Sequence, residues 1–153
     1  MTYDLANSLS VTQLLDPATT TATVTSATLD RNFTIGAAML ILTMGESGDT
    51  LSGSVYWSLS IQDSSDDSSW SNVTSSARVS FAAVDSSGIY ATIDAAAEDD
   101  AAFPIGYTGP ERYVRIVATK TGTHSNGTPI GVLACVNNIH KPASGSDDGS
   151  ATG

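Results

Sequence analysis

Between Ser54 and Gln62 apolar and polar side chains alternate without a break: Val55, Trp57, Leu59 and Ile61 against Ser54, Tyr56, Ser58, Ser60 and Gln62. A strand turns successive side chains to opposite faces, whereas a helix groups them three and four apart, so nine residues of period two predict a half-buried antiparallel strand. The period recurs. Ala77 to Val84 sets Val79, Phe81 and Ala83 against Arg78, Ser80 and Ala82; Gly88 to Asp94 sets Ile89, Ala91 and Ile93 against Tyr90 and Thr92. Arg112 to Lys120 turns Val114, Ile116 and Ala118 inward and Tyr113, Arg115 and Thr119 outward, and Thr20 to Leu29 is Thr-rich and β-prone. Ile35 to Met44 and Pro129 to Val136 are apolar on both faces, which marks them as central, fully covered strands.

Turn-forming clusters at 45–53, 63–69, 85–88, 99–110 and 121–127 separate these runs. About seven or eight short strands at this spacing predict an all-β fold, an antiparallel β-sandwich of jelly-roll or Ig-like type with extended N- and C-terminal arms. The Gly/Thr/Asn loop from Thr121 to Thr128 is expected to return the chain in a β-hairpin joining Arg112–Lys120 to Pro129–Val136. One helical candidate exists, Asp94 to Ala102, rich in Ala and closed by Pro104. The expected organisation is an arm over 1–18, a sandwich domain over 19–142 and a Gly/Ser/Asp tail over 143–153. In the arm, Leu5, Leu9, Val11 and Leu14 fit either a short helical stripe or an extended segment.

The chain has 153 residues, enough for one sizeable core. Only 14% are charged, so Ser and Thr take over much of the surface. Six basic and sixteen acidic residues give a net charge of −10. Phosphate neutralisation needs Lys and Arg, so nucleic acid is not an expected partner, nor is an anionic membrane. The single Cys135 permits no intrachain disulfide and, set in an apolar run, is expected to be a small buried hydrophobe. The first ten residues lack the basic region and apolar core of a signal peptide, and no apolar run reaches the 18 residues a spanning helix needs.

Catalytic chemistry finds little footing. The histidines are His124, in a Gly/Thr/Asn loop, and His140, before Lys141-Pro142, and no G-x-S-x-G elbow is present. Asp63, Asp66 and Asp67 share one turn and Glu98, Asp99 and Asp100 another, but neither follows the calcium-loop pattern, so solvated acidic turns are the expectation and no metal or cofactor is expected. Gln62 to Trp70, QDSSDDSSW, has the form of a hairpin turn whose second strand opens with an aromatic. It faintly resembles the Asp-box turn, with Asp67 where that motif has Gly. Trp57 falls on the apolar face of its strand and is expected in the core; Trp70 is left open.

Several features carry a resemblance. Asp4-Leu-Ala-Asn-Ser-Leu leads to a Pro and a Thr-rich strand; Ala37-Ala-Met-Leu-Ile-Leu follows; then comes the acidic turn Ser65-Asp66-Asp67-Ser68-Ser69-Trp70. The most specific part is Gly106-Tyr107-Thr108-Gly109-Pro110-Glu111-Arg112-Tyr113-Val114-Arg115, with a return strand closing on His140-Lys141-Pro142. Across most of residues 4–142 this pattern resembles a family of small proteins encoded among the head-structure genes of tailed bacteriophages. The resemblance implies a non-enzymatic virion structural protein of capsid-decoration (cement) type. It would be made in the host cytoplasm and carried on the capsid surface, with the major capsid protein as partner and trimers at three-fold positions as one form of self-association. The residues expected at a partner contact are Leu5, Leu9, Trp70, Tyr107, Arg112, Tyr113, Arg115 and His140. Arg112 and Arg115, three apart on a strand, are expected on opposite faces, and an internal salt bridge is an equal reading for either. The alternative function is a head-fibre, tail or receptor-binding module gripping host glycans with Trp70 and the tyrosines Tyr56, Tyr90, Tyr107 and Tyr113.

Overall fold

The structure is a computed structural model and describes residues 5–31 and 38–137. After a single helical turn at Leu5–Ser8, the strands in chain order are β1 (Leu9–Thr20), β2 (Val24–Thr25), β3 (Leu29–Asp30), β4 (Ala38–Met44), β5 (Tyr56–Ser64), β6 (Ser71–Asn72), β7 (Val79–Ser80), β8 (Ile89–Ile93), β9 (Ala101–Tyr107), β10 (Tyr113–Thr121) and β11 (Thr128–Asn137). They form an all-β sandwich of two antiparallel sheets. The five-stranded sheet runs β1-β11-β4-β9-β7; in the other, β10 and β5 are central, flanked by β2 and β3 on one side and β6 and β8 on the other. From β7 onward every strand lies in the sheet opposite its predecessor.

The core is what the alternation dictates. Trp57, Leu59 and Ile61 of β5 and Val114, Ile116 and Ala118 of β10 face Leu40 and Leu42 of β4 and Ile130, Val132 and Ala134 of β11, all buried. The Trp57 indole N–H is not stranded there, because it donates to Thr128 Oγ1 at 3.0 Å.

Several expectations are corrected. The segment 112–136 is not a hairpin: β10 pairs with β5, and β11 with β1 and β4, so the loop between them crosses from one sheet to the other. Both strands bury one face, and a sandwich satisfies that by placing them on opposite walls of the core. The crossing loop is pinned by Asp49, whose carboxylate accepts the backbone N–H groups of Ser125, Asn126 and Gly127 at 2.8–3.0 Å. No helix forms at 94–102. Only one turn does, with Glu98 N–H on Ala95 O and the Glu98 carboxylate accepting Asp94 N–H, and the chain then enters β9. Pro104 sits within β9, tolerated because β7 reaches only Tyr107 and Gly106 and leaves that edge open at Pro104.

The predicted strand at 77–84 is reduced to Val79–Ser80 behind a 3-10 turn at Ser76–Arg78. Its alternation breaks at Phe81, which has φ 73° and is 75% exposed instead of facing inward. The leading segment is no separate arm from Leu9 on: it is the edge strand β1, paired with β11 along its length. Two bulges, between Gln13 and Leu15 and between Leu15 and Ala18, turn Leu14 into the core and accommodate Pro17 at the sheet edge. The tail at 143–153 lies outside the described residues.

Candidate functional site

The expected contact residues separate into three groups. Tyr107 is the clearest correction: it is fully buried, not a surface tyrosine. Its hydroxyl donates to Asp63 Oδ2 at 2.6 Å and accepts Glu111 N–H at 3.3 Å, and Arg78 Nη1 reaches the same Asp63 oxygen at 3.3 Å. The Arg31 guanidinium lies 4.6 Å from the Tyr107 ring centroid and donates to Gly109 O and Glu111 O. A Cβ at Gly109 would stand 2.4 Å from the Tyr107 hydroxyl, so this glycine is what lets the ring in. The Gly-Tyr-x-Gly segment is therefore a brace inside the sandwich. Burial and the bond to Asp63 push the Tyr107 phenol well above its usual range.

Arg112, Tyr113, Arg115 and Trp70 form two separate cation–ring pairs, Arg112 with Tyr113 and Arg115 with Trp70. Arg112 makes a two-pronged pair with Asp30, Nε to Oδ1 at 2.9 Å and Nη2 to Oδ2 at 2.8 Å, and its guanidinium covers the Tyr113 ring at 4.9 Å. This is the internal-pair reading, realised at a half-exposed position. Arg115 donates from Nε to Gln62 Oε1 at 2.8 Å and lies 4.0 Å from the centroid of the Trp70 ring. Gln62 passes the rung on to Asn72, and Asn72 to Ser87 O, so one line of polar groups crosses β10, β5 and β6. Desolvation lowers the Arg115 pKa without threatening its charge.

The acidic turn before Trp70 has the geometry suggested by its sequence. Asp66 Oδ1 accepts N–H from Ser68 and Ser69 and the Ser64 hydroxyl, while Asp67 takes φ 59°, the left-handed conformation for which Gly is the usual residue. The Asp66 carboxyl is held far below the ordinary carboxylate range by those backbone donors. Its oxygens hold the turn together.

Leu9 lies on the outward face of the five-stranded sheet. The side chain of Leu5 and the whole of His140 lie outside the described residues. The outward face itself was misread as covered. Leu133 and Cys135 of β11 and Met39 and Ile41 of β4 are half-buried, with no second layer over them among the described residues, so Cys135 is not in the core. Ala102, Pro104 and Gly106 continue the face onto β9. None of these register-matched positions bears a charge. His124, by contrast, is a core group: it packs on Trp57 with ring centroids 4.7 Å apart, and its Nε2–H donates to Thr121 O at 3.1 Å.

Among the described residues, no group of three or more His, Cys, Asp or Glu stands ready to hold a metal, and no helix is long and apolar enough to cross a membrane. The chain matches no protein-family model and no curated protein. Two residues escaped the sequence reading. Asp49 gave no signal beyond its place in a turn cluster, and Phe81 was assigned to the inner face by an alternation that the left-handed backbone breaks.

Proposed function

We propose that the chain is a non-enzymatic structural protein of a tailed-bacteriophage virion that decorates the outside of the shell and stabilises contacts between major capsid subunits. The observation that carries this reading is the pairing of Leu9 with Asn137: the chain enters the sheet directly opposite the place where it leaves. Leu9 and Asn137 thus stand together at one corner of the sandwich. A rigid body with two adjacent ends is suited to sit at a capsomer junction while its ends engage neighbouring subunits. Many copies acting together turn a modest contact into a large gain for the shell. The net charge of −10 supports the same reading by limiting aggregation of the decorated particles.

The glycan-module reading has less support. Trp70 offers a sugar only the ring face that Arg115 leaves open, and Tyr107 is inside the sandwich. The test is co-sedimentation of the purified full-length chain with shells that lack it. Saturable binding that weakens on deletion of 138–153, with the unfolding midpoint unchanged, is the expected result. Absence of binding to the shell, together with a defined sugar preference on a glycan array, would overturn the proposal.

A further inference from the structure

The outward face of the five-stranded sheet carries Leu9, Val11, Met39, Ile41, Leu133 and Cys135, with the polar Gln13, Thr43 and Asn137, and none of these register-matched positions bears a charge. Its counterpart on the second sheet bears the Arg115–Gln62–Asn72 rung and is polar. A large uncharged sheet face on a soluble sandwich marks an interaction surface. Two further observations say what covers it.

The first is a knob beside a hollow. Between Leu9, Ala38, Met39 and Cys135 lies a groove of about 270 Å³, bordered by Asn137 and by Gly106, beside which the Ser80 hydroxyl takes the place a side chain would have. The next residue after Ser80 is Phe81, 75% exposed and held at φ 73°. A bulky aromatic adopts that backbone conformation only against a steric penalty, and here it leaves a benzyl group exposed to solvent one residue beyond Ser80, which lines the hollow. The other exposed large apolar side chain, Val11 at 60%, stands on the opposite edge strand of the same sheet.

The second is charge. A chain of net charge −10 repels its own copies, and they can approach closely only through a surface that carries none of that charge. This sheet face meets the condition. An exposed aromatic one residue from a hollow at the same edge of the sheet also suits a two-fold pairing, since each copy then offers both halves of the contact.

We propose that this face docks a second copy of the chain in a two-fold pair, with Phe81 of each copy seated in the Leu9–Met39–Cys135 hollow of the other. A seated phenyl ring removes about 150–250 Å² from water and is the kind of central aromatic anchor on which interfaces depend. The pairing does not rest on where the pair then binds.

Sedimentation equilibrium of the full-length chain across the micromolar range tests it. The wild type is expected at twice the 15.7 kDa of one chain. Phe81→Ser at the knob and Met39→Glu in the hollow are each expected to raise the dissociation constant at least about tenfold, with circular dichroism unchanged. Arg115→Ala, on the other sheet, is expected to leave the pair intact. Maleimide labelling of Cys135 should be slower in the wild type than in Phe81→Ser. A monomeric wild type throughout the range, a three-fold particle, or a pair indifferent to both Phe81→Ser and Met39→Glu overturns the proposal.

Discussion

The hydroxyl of Tyr107, on the five-stranded sheet, donates a 2.6 Å hydrogen bond to the carboxylate of Asp63, on the opposing sheet. The bond ties the two walls of the core together at a point where both residues are buried. Tyr107→Phe keeps the ring and removes the donor, leaving a buried carboxylate with one partner fewer. The expected loss is about 1.5–3 kcal/mol of unfolding free energy, measured by denaturant titration.

Alkaline pH tests the same bond. The phenol of Tyr107 is pushed up by burial and by Asp63, and burial also pushes up that of Tyr90. A raised folded pKa means that the native state holds its proton while the unfolded chain gives it up. The stabilisation is therefore complete below the ordinary phenol value, about 10, and is lost as pH rises above it. The unfolding free energy should fall above that pH, and Tyr107→Phe should flatten the fall without abolishing it, since Tyr90 remains.

In acid the opposite sign applies. Asp66 is held low chiefly by Ser69 N–H, Asp85 by Ile89 N–H and Asp49 by Asn126 N–H. A depressed folded pKa stabilises the native state above the unfolded value of about 3.9, and this contribution is lost as pH falls below it. The unfolding midpoint should drop in that window, and Asp66→Asn should make the drop shallower, as followed by thermal melts from pH 6 downward.

Gly122 begins the loop that carries the chain from one sheet to the other. It has φ 79°, and a Cβ there would stand 2.2 Å from Ser54 O, a backbone atom that has no room to yield. Gly122→Ala is expected to cost about 1–3 kcal/mol in unfolding free energy.

The two arginines of the second sheet should part company. Arg112 pairs with Asp30 where both side chains are more than two-fifths exposed, so Arg112→Ala should leave the unfolding midpoint within experimental error. Arg115 covers Trp70, so Arg115→Ala should make Trp70 fluorescence more accessible to iodide, whereas buried Trp57 stays shielded.

Sequence patterning shows which side chains a strand buries, and this part of the fold was legible. Trp57, Leu59 and Ile61 lie inward as their alternation requires, as do Val114, Ile116 and Ala118. Patterning does not show which strand lies alongside. The inward faces of β10 and β11 would be equally satisfied in one sheet or across the core, so the hairpin expectation had nothing in the residues to correct it. Apolar character on both faces of β4 and β11 correctly marked them as central strands, but the inference that both faces were covered within the chain did not follow. The Ala-rich stretch at 94–102 has helical propensity, but β8 and β9 enclose it so closely that only one turn fits. At the candidate site, Arg115 and Trp70 were picked out by residue type, but their stacking depends on a turn whose shape rests on Asp66 and Asp67.

The central claim, decoration of a virion shell, is tested most directly by the copy number of this chain in purified virions, measured by quantitative mass spectrometry against the major capsid protein. The account predicts a ratio that is a sizeable fraction of the capsid subunit count. A handful of copies per particle, or none, would contradict it.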